Sequence, residues 1–280
     1  MCTIVLLSHV HPTYPLLVAA NRDEFYSRES SGPAVLATDP LVVGGTDVKG
    51  GGTWLGANEH GLFAAITNQR THTPPNPGLR SRGLVVRSVL QSDSPAAATA
   101  LVEALDPAAY NSFNLVFGDA NAVFVAYSRT RARTLEVMGV ARGITVLPND
   151  RIGSPDFPKS ERAVELAKQV ADQPWPALAR HLAKLLGDHE LPSIDKIPPL
   201  PPGSFLPASG LRQLQALCVH TRPYGTRSAT IVALEPGRVT HYLYADGPPC
   251  STPFRDYTHL ISRSSRASSK NGLASRGEPT

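Results

Sequence analysis

Apolar residues fall along this chain in two rhythms. Residues 3 to 10 (TIVLLSHV) and 15 to 22 (PLLVAANR) are almost continuously aliphatic and flank the turn HPTY. They predict a hairpin whose strands are buried on both faces, inside stacked layers. Residues 44 to 56 (GGTDVKGGGTWLG) break the pattern, and their glycine density predicts a loop with positive φ and close backbone approach. Neither GxxxxGK[ST] nor GxGxxG can be laid on that stretch, which argues against a phosphate cradle. Strand FAAITNQR (63 to 70) follows, then the turn THTPPNPG. A helical period takes over in GLVVRSVLQS and, behind a Ser-Asp-Ser-Pro start signal, in PAAATALVEAL (95 to 105). FNLVFGD, AVFVAYS, TLEVMG and GITVLPN, between 113 and 149, read as a four-stranded meander. SERAVELAKQVAD and WPALARHLAKLLG predict a second helical pair with basic residues toward solvent. The proline-rich residues 191 to 207 (LPSIDKIPPLPPGSFLP) predict a long surface loop suited to a lid, and ATIVALEPG with RVTHYLYADG predicts a second hairpin. The order of strands, two helices, strands, two helices, strands predicts an antiparallel α+β sandwich covered by helices rather than a βαβ fold.

Composition narrows the function classes. With 280 residues, 41% apolar and 18% charged, the chain suits an ordinary globular enzyme with a sizeable core. Residues 1 to 260 read as one domain and 261 to 280 as a Ser/Arg-rich disordered tail. That tail supplies +3 of the formal +4 charge, so the remainder is nearly neutral and has no basic stripe interleaved with aromatics. A nucleic-acid partner is not expected. Three cysteines, Cys2, Cys218 and Cys250, fit neither an even disulfide framework nor a CxxC metal or redox pair, and no metal site is expected. There is no apolar run of transmembrane length, and TIVLLSHV lacks the form of a signal peptide, so a cytoplasmic location is expected. Oligomeric state leaves no signal.

Cys2 raises the sharpest chemical expectation. Once Met1 is removed, one residue carries both a thiol of pKa about 8.5 and an α-amine of about 8, a nucleophile beside a matched base. It is expected to be the most reactive of the three thiols. The other polar candidates stand at or just past the ends of apolar strands: Asn21, Arg22, Asp23 and Glu24, then Asn68, Asn149 and Arg227. A carboxylate could orient the Cys2 ammonium, amides suit an oxyanion hole, and arginine offers a fixed cationic fork. Each also has a plain structural reading, as a turn, a strand-end cap or a solvated charge run.

MC at the start, AANRDEF (19 to 25), GGTWLGANEHGLFAAITNQR (51 to 70), FNLVFGD (113 to 119), VLPN (146 to 149) and YGTRSAT (224 to 230) together resemble the NRDE family, also called the transport and Golgi organisation 2 family. The resemblance runs from Met1 to about Gly247. That family is similar to N-terminal nucleophile hydrolases of the choloylglycine and penicillin V acylase type, which implies a four-layer αββα sandwich. It further implies Cys2 as nucleophile, Asp23 as holder of the amino group, Asn68 and Asn149 as oxyanion donors and Arg227 as a late catalytic arginine. Asn21, Arg22 and Trp54 are assigned to substrate binding. Two positions depart from the acylase pattern: Ala20 stands where an arginine is usual, and Pro148 replaces a threonine. The implied reaction is cleavage of a linear amide through a thioester, with no cofactor required. The alternative implied by the family is a non-catalytic protein of haem or lipid trafficking, with haem as a ligand.

Overall fold

The computed structural model describes residues 2–169, 173–200 and 207–262. The first hairpin is β1 (Thr3–Ser8) and β2 (Leu16–Phe25), and every residue of β1 is buried. Ile4 and Leu6 of β1, with Leu16, Val18 and Ala20 of β2, enter a core between two sheets. The alternate residues Val5, Leu7, Leu17 and Ala19 pack beneath helices. The continuous apolar runs therefore have the cause anticipated: both faces of the hairpin are covered.

The first sheet is six-stranded, in the order β10 (Gly143–Leu147), β1, β2, β11 (Tyr224–Glu235), β12 (Arg238–Ala245), β13 (Arg255–Asp256). The second has seven strands in simple chain order: β3 (Ser30–Thr38), β4 (Leu41–Asp47), β5 (Leu55–Asn58), β6 (Phe63–Asn68), β7 (Phe113–Gly118), β8 (Val123–Arg129) and β9 (Thr134–Gly139). Helices α1 (Arg82–Val89) and α2 (Pro95–Glu103) cover the second sheet through Val85, Val86, Val89, Ala98 and Val102. Helices α3 (Lys159–Lys168) and α4 (Ala177–Leu186) cover the first through Ala163, Ala167, Leu178, Leu182 and Leu186. The result is an antiparallel αββα sandwich. The start signal read ahead of α2 is used as expected: Ser94 accepts the Ala97 N–H at 3.3 Å and Pro95 occupies the first turn.

Two expectations are corrected. GITVLPN does not complete a meander; β10 leaves the second sheet and pairs antiparallel with β1, Ile4 opposite Leu147. Residues 44 to 56 are not all loop, because Gly44–Asp47 belong to β4 and Leu55 and Gly56 to β5. The glycines there allow close approach rather than a turn: a Cβ on Gly45 would lie 2.3 Å from the Trp54 ring. Short α5 (Ala208–Gln213) follows the proline-rich stretch. Ile261 is 3% exposed and belongs to the core between the sheets, while residues 263 to 280 lie outside those described.

Candidate functional site

Strand order builds the site. β2 lies between β1 and β11, so Cys2, Asp23 and Thr226 become neighbours across a sequence separation of more than two hundred residues. Half-buried Cys2 leads into β1 just beyond the Thr3–Asn21 pair, and its Sγ lies 3.9 Å from the Asp23 carbonyl oxygen. Period-two alternation then splits the Asn-Arg-Asp run between two faces. Arg22 turns toward the space between the sheets. Its guanidinium stacks over Trp54 at 4.4 Å and donates to Ser30 Oγ at 3.1 Å. Cys2, Arg22, Trp54, Ile66 and Thr230 line a cleft of about 10 Å³ there, which is room for roughly one water molecule.

Asp23 turns the other way and is 3% exposed. Its Oδ1 accepts from Thr226 Oγ1 at 2.7 Å, and its backbone carbonyl accepts from Tyr224 Oη at 2.6 Å. Behind it stands Lys159, the first residue of α3, 1% exposed, with Nζ donating to the Leu214 carbonyl at 3.3 Å. Burial pushes the Asp23 carboxyl up, opposed first by the amino-terminal charge and then by Lys159, and it pushes the Lys159 ammonium down, opposed first by Asp23. Burial also pushes the Cys2 thiol up, with the amino-terminal charge and Arg22 acting against it. Cys250 is exposed, whereas Cys2 is half-buried. Arg82, which opens α1, is held below its ordinary value by burial and by Arg28, with Glu24, Cys2 and Asp47 acting against it.

The remaining candidates are placed less directly. Asn21 directs its amide away from the cleft, donating to the Leu186 and Leu217 carbonyls at 2.8 Å each. Asn149 is 2% exposed and donates to the Asn68 carbonyl at 2.7 Å, while the Asn68 side chain is exposed. The pair is joined through the backbone of Asn68, not through two convergent amides. Pro148, the second departure, has a role of its own: its carbonyl accepts from Thr67 Oγ1 at 2.7 Å and so ties β10 to β6 across the two sheets. Arg227 is the extra residue of a bulge between Thr226 and Ser228, and its guanidinium lies 5.9 Å from the Tyr26 ring. Bulges of this kind redirect one side chain at an active-site edge. Lys159, Thr226, Tyr224 and Arg82 were not singled out from sequence. Lys159 in particular reads as an ordinary solvated helix start.

Residues 1–243 match the family described as Transport and Golgi organisation 2. A Bos taurus protein described as Transport and Golgi organization protein 2 homolog is 30% identical over 264 residues, covering 86% of this chain and 91% of its own length. Among solved structures, penicillin V acylase from Agrobacterium tumefaciens superposes with a TM-score of 0.55 at 13% identity, over 94% of this chain and 88% of that one. Conjugated bile acid hydrolase from Clostridium perfringens does so with a TM-score of 0.53 at 13% identity, over 92% and 96%. At that identity the likeness is one of fold.

Proposed function

Given that this chain belongs to the transport and Golgi organisation 2 family and has the αββα fold of N-terminal nucleophile hydrolases, we propose that it hydrolyses a linear amide with Cys2 as nucleophile once Met1 is removed. The observation that carries this reading is the position of the Cys2 thiol, at the mouth of the cleft between the sheets and 3.9 Å from the carbonyl of a buried aspartate. In the processed chain the α-amine of Cys2 takes the thiol proton. The sulfur attacks the amide carbonyl carbon, and the carbonyl electrons move onto oxygen. Collapse expels the amine, which receives the proton from the α-ammonium, and leaves a thioester. Water then attacks the thioester, giving its proton to the α-amine, and the released sulfur is reprotonated.

In this reading Asp23, fixed by Thr226 and Tyr224, holds the ammonium in line with the thiol. Arg22 on Trp54 walls the substrate side, and Arg82 adds positive potential to the thiolate. Asn149 carries a second N–H beyond the one given to Asn68, and that donor serves the oxyanion. A substrate larger than water requires the cleft to open.

The test begins with the intact mass of the purified protein, which must show loss of Met1. A β-lactone electrophile should then acylate Cys2, visible as a mass adduct absent from Cys2→Ala. Retained Met1, or no adduct at Cys2, would overturn the reading. A Soret shift with added haemin that disappears in Cys2→Ala, without acylation of the wild type, would establish the binding role instead.

A further inference from the structure

Away from the cleft, four side chains from three separate loops converge. His189 follows α4, Cys218 and His220 precede β11, and Cys250 lies in the turn after β12; their candidate ligand atoms all fall within 4.8 Å of one another. Cys218 Sγ is 3.8 Å from Cys250 Sγ, His220 Nε2 is 3.6 Å from Cys218 Sγ, and His220 Nε2 is 3.2 Å from Cys250 Sγ. A tetrahedral zinc ion with Zn–S near 2.3 Å and Zn–N near 2.0–2.1 Å requires S···S edges of about 3.8 Å and S···N edges of about 3.6 Å. The Cys218–Cys250 and Cys218–His220 edges match that tetrahedron, the His220–Cys250 edge is shorter, and the sulfur separation is well beyond the bond length of about 2.05 Å in a disulfide.

The surroundings fit the same reading. His189 Nδ1 lies 3.0 Å from the Cys218 carbonyl oxygen. As donor there, it leaves the Nε2 lone pair for a metal, the usual outer-sphere arrangement of a ligating histidine. The Cys218 N–H donates to the Asp188 carbonyl at 2.9 Å, and Gly187 admits the Cys250 backbone so closely that an added Cβ would stand 3.3 Å from it. The loops are held together before any ion arrives. Cys218 is buried, whereas the other three ligands are exposed, which gives an ion a path in from solvent.

We propose that His189, Cys218, His220 and Cys250 form a Cys₂His₂ structural site for a thiophilic divalent cation, zinc in the first instance. Binding displaces two thiol protons to solvent and forms two metal–sulfur and two metal–nitrogen bonds, with no change of oxidation state. The ion ties together the ends of segments that also hold the cleft's rear wall. Leu186 and Leu217 accept the Asn21 amide, and Val219 exchanges hydrogen bonds with Thr226, the partner of Asp23.

The experiment is a cobalt(II) titration of the reduced, metal-stripped full-length protein. The expected result is one equivalent bound, with the visible bands of tetrahedral cobalt and a thiolate-to-cobalt charge-transfer band in the near ultraviolet, both abolished by zinc. Zinc should also raise the melting temperature. Cys250→Ser and His220→Ala, both at exposed positions and so compatible with folding, should lose the charge-transfer intensity and bind at least tenfold more weakly. Cys2→Ala should keep both. The proposal is overturned if folded wild type, checked by circular dichroism, gives no tetrahedral spectrum, or if the spectrum survives in Cys250→Ser or vanishes in Cys2→Ala. A Cys218–Cys250 disulfide that forms under air and re-forms in the presence of zinc would equally overturn it.

Discussion

Burial pushes the Cys2 thiol up from its ordinary value, and a thiol kept protonated is a slow nucleophile. In metal-stripped protein that keeps Met1, iodoacetamide should label exposed Cys250 first at pH 7, and Cys2 labelling should still be accelerating at pH 9. Because folding raises the Cys2 pKa, the folded chain keeps a proton that the unfolded chain has lost. The associated stability is complete below the ordinary thiol value and falls as pH rises through the folded one. Cys2 labelling that levels off below pH 8, followed by mass spectrometry, would show that the thiol is not held up. Asp23 and Lys159 belong to the same scale. Each of these two buried charges offsets part of the other's burial, so removing one leaves the other less well compensated. Lys159→Met alone should therefore be strongly destabilising, and Asp23→Asn should restore about half or more of the loss when combined with it. Additive losses in urea unfolding of the four-member cycle would show that the two charges do not act on each other.

Packing of elements explains why a tryptophan can serve as a wall. Trp54 stands at the entry to β5 and lies across β4, where Gly45 leaves room for the ring; a Cβ there would also meet the Ser31 carbonyl at 2.9 Å. Gly45→Ala should push the ring off Arg22, cost about 1–3 kcal/mol by overpacking, and change the tryptophan emission. Gly139→Ala, in β9 with open space around the added carbon, is the control and should be nearly silent. Equal effects at the two positions in thermal melts would contradict the packing argument.

For the whole molecule, the end of the chain separates two contributions. Removing residues 263 to 280 takes away a Ser/Arg-rich sequence with little to bury, and the melting temperature should hold. Removing 261 to 280 also takes Ile261 out of the core between the sheets, which should cost about 2–5 kcal/mol, on the scale of emptying a buried aliphatic site. The pair of truncations, compared by calorimetry, tests whether order ends where the inter-sheet core does. No helix among the described residues is long and apolar enough to cross a membrane.

The layers were legible from sequence because each follows from a local period. The unbroken aliphatic run of β1 requires cover on two faces, and the helical stripes of α1 to α4 require a sheet beneath them. Alternation along β2 was equally legible, and it alone sends Arg22 and Asp23 to opposite faces. Long-range pairing was not legible. That β10 should join β1, that Lys159 should back Asp23, and that His189, Cys218, His220 and Cys250 should meet depends on which distant segments share an edge or a loop end. Composition and spacing carry no trace of that choice. A side chain's chemistry is local, but its partners are set by the one arrangement of thirteen strands and five helices among the described residues that buries all three apolar clusters together.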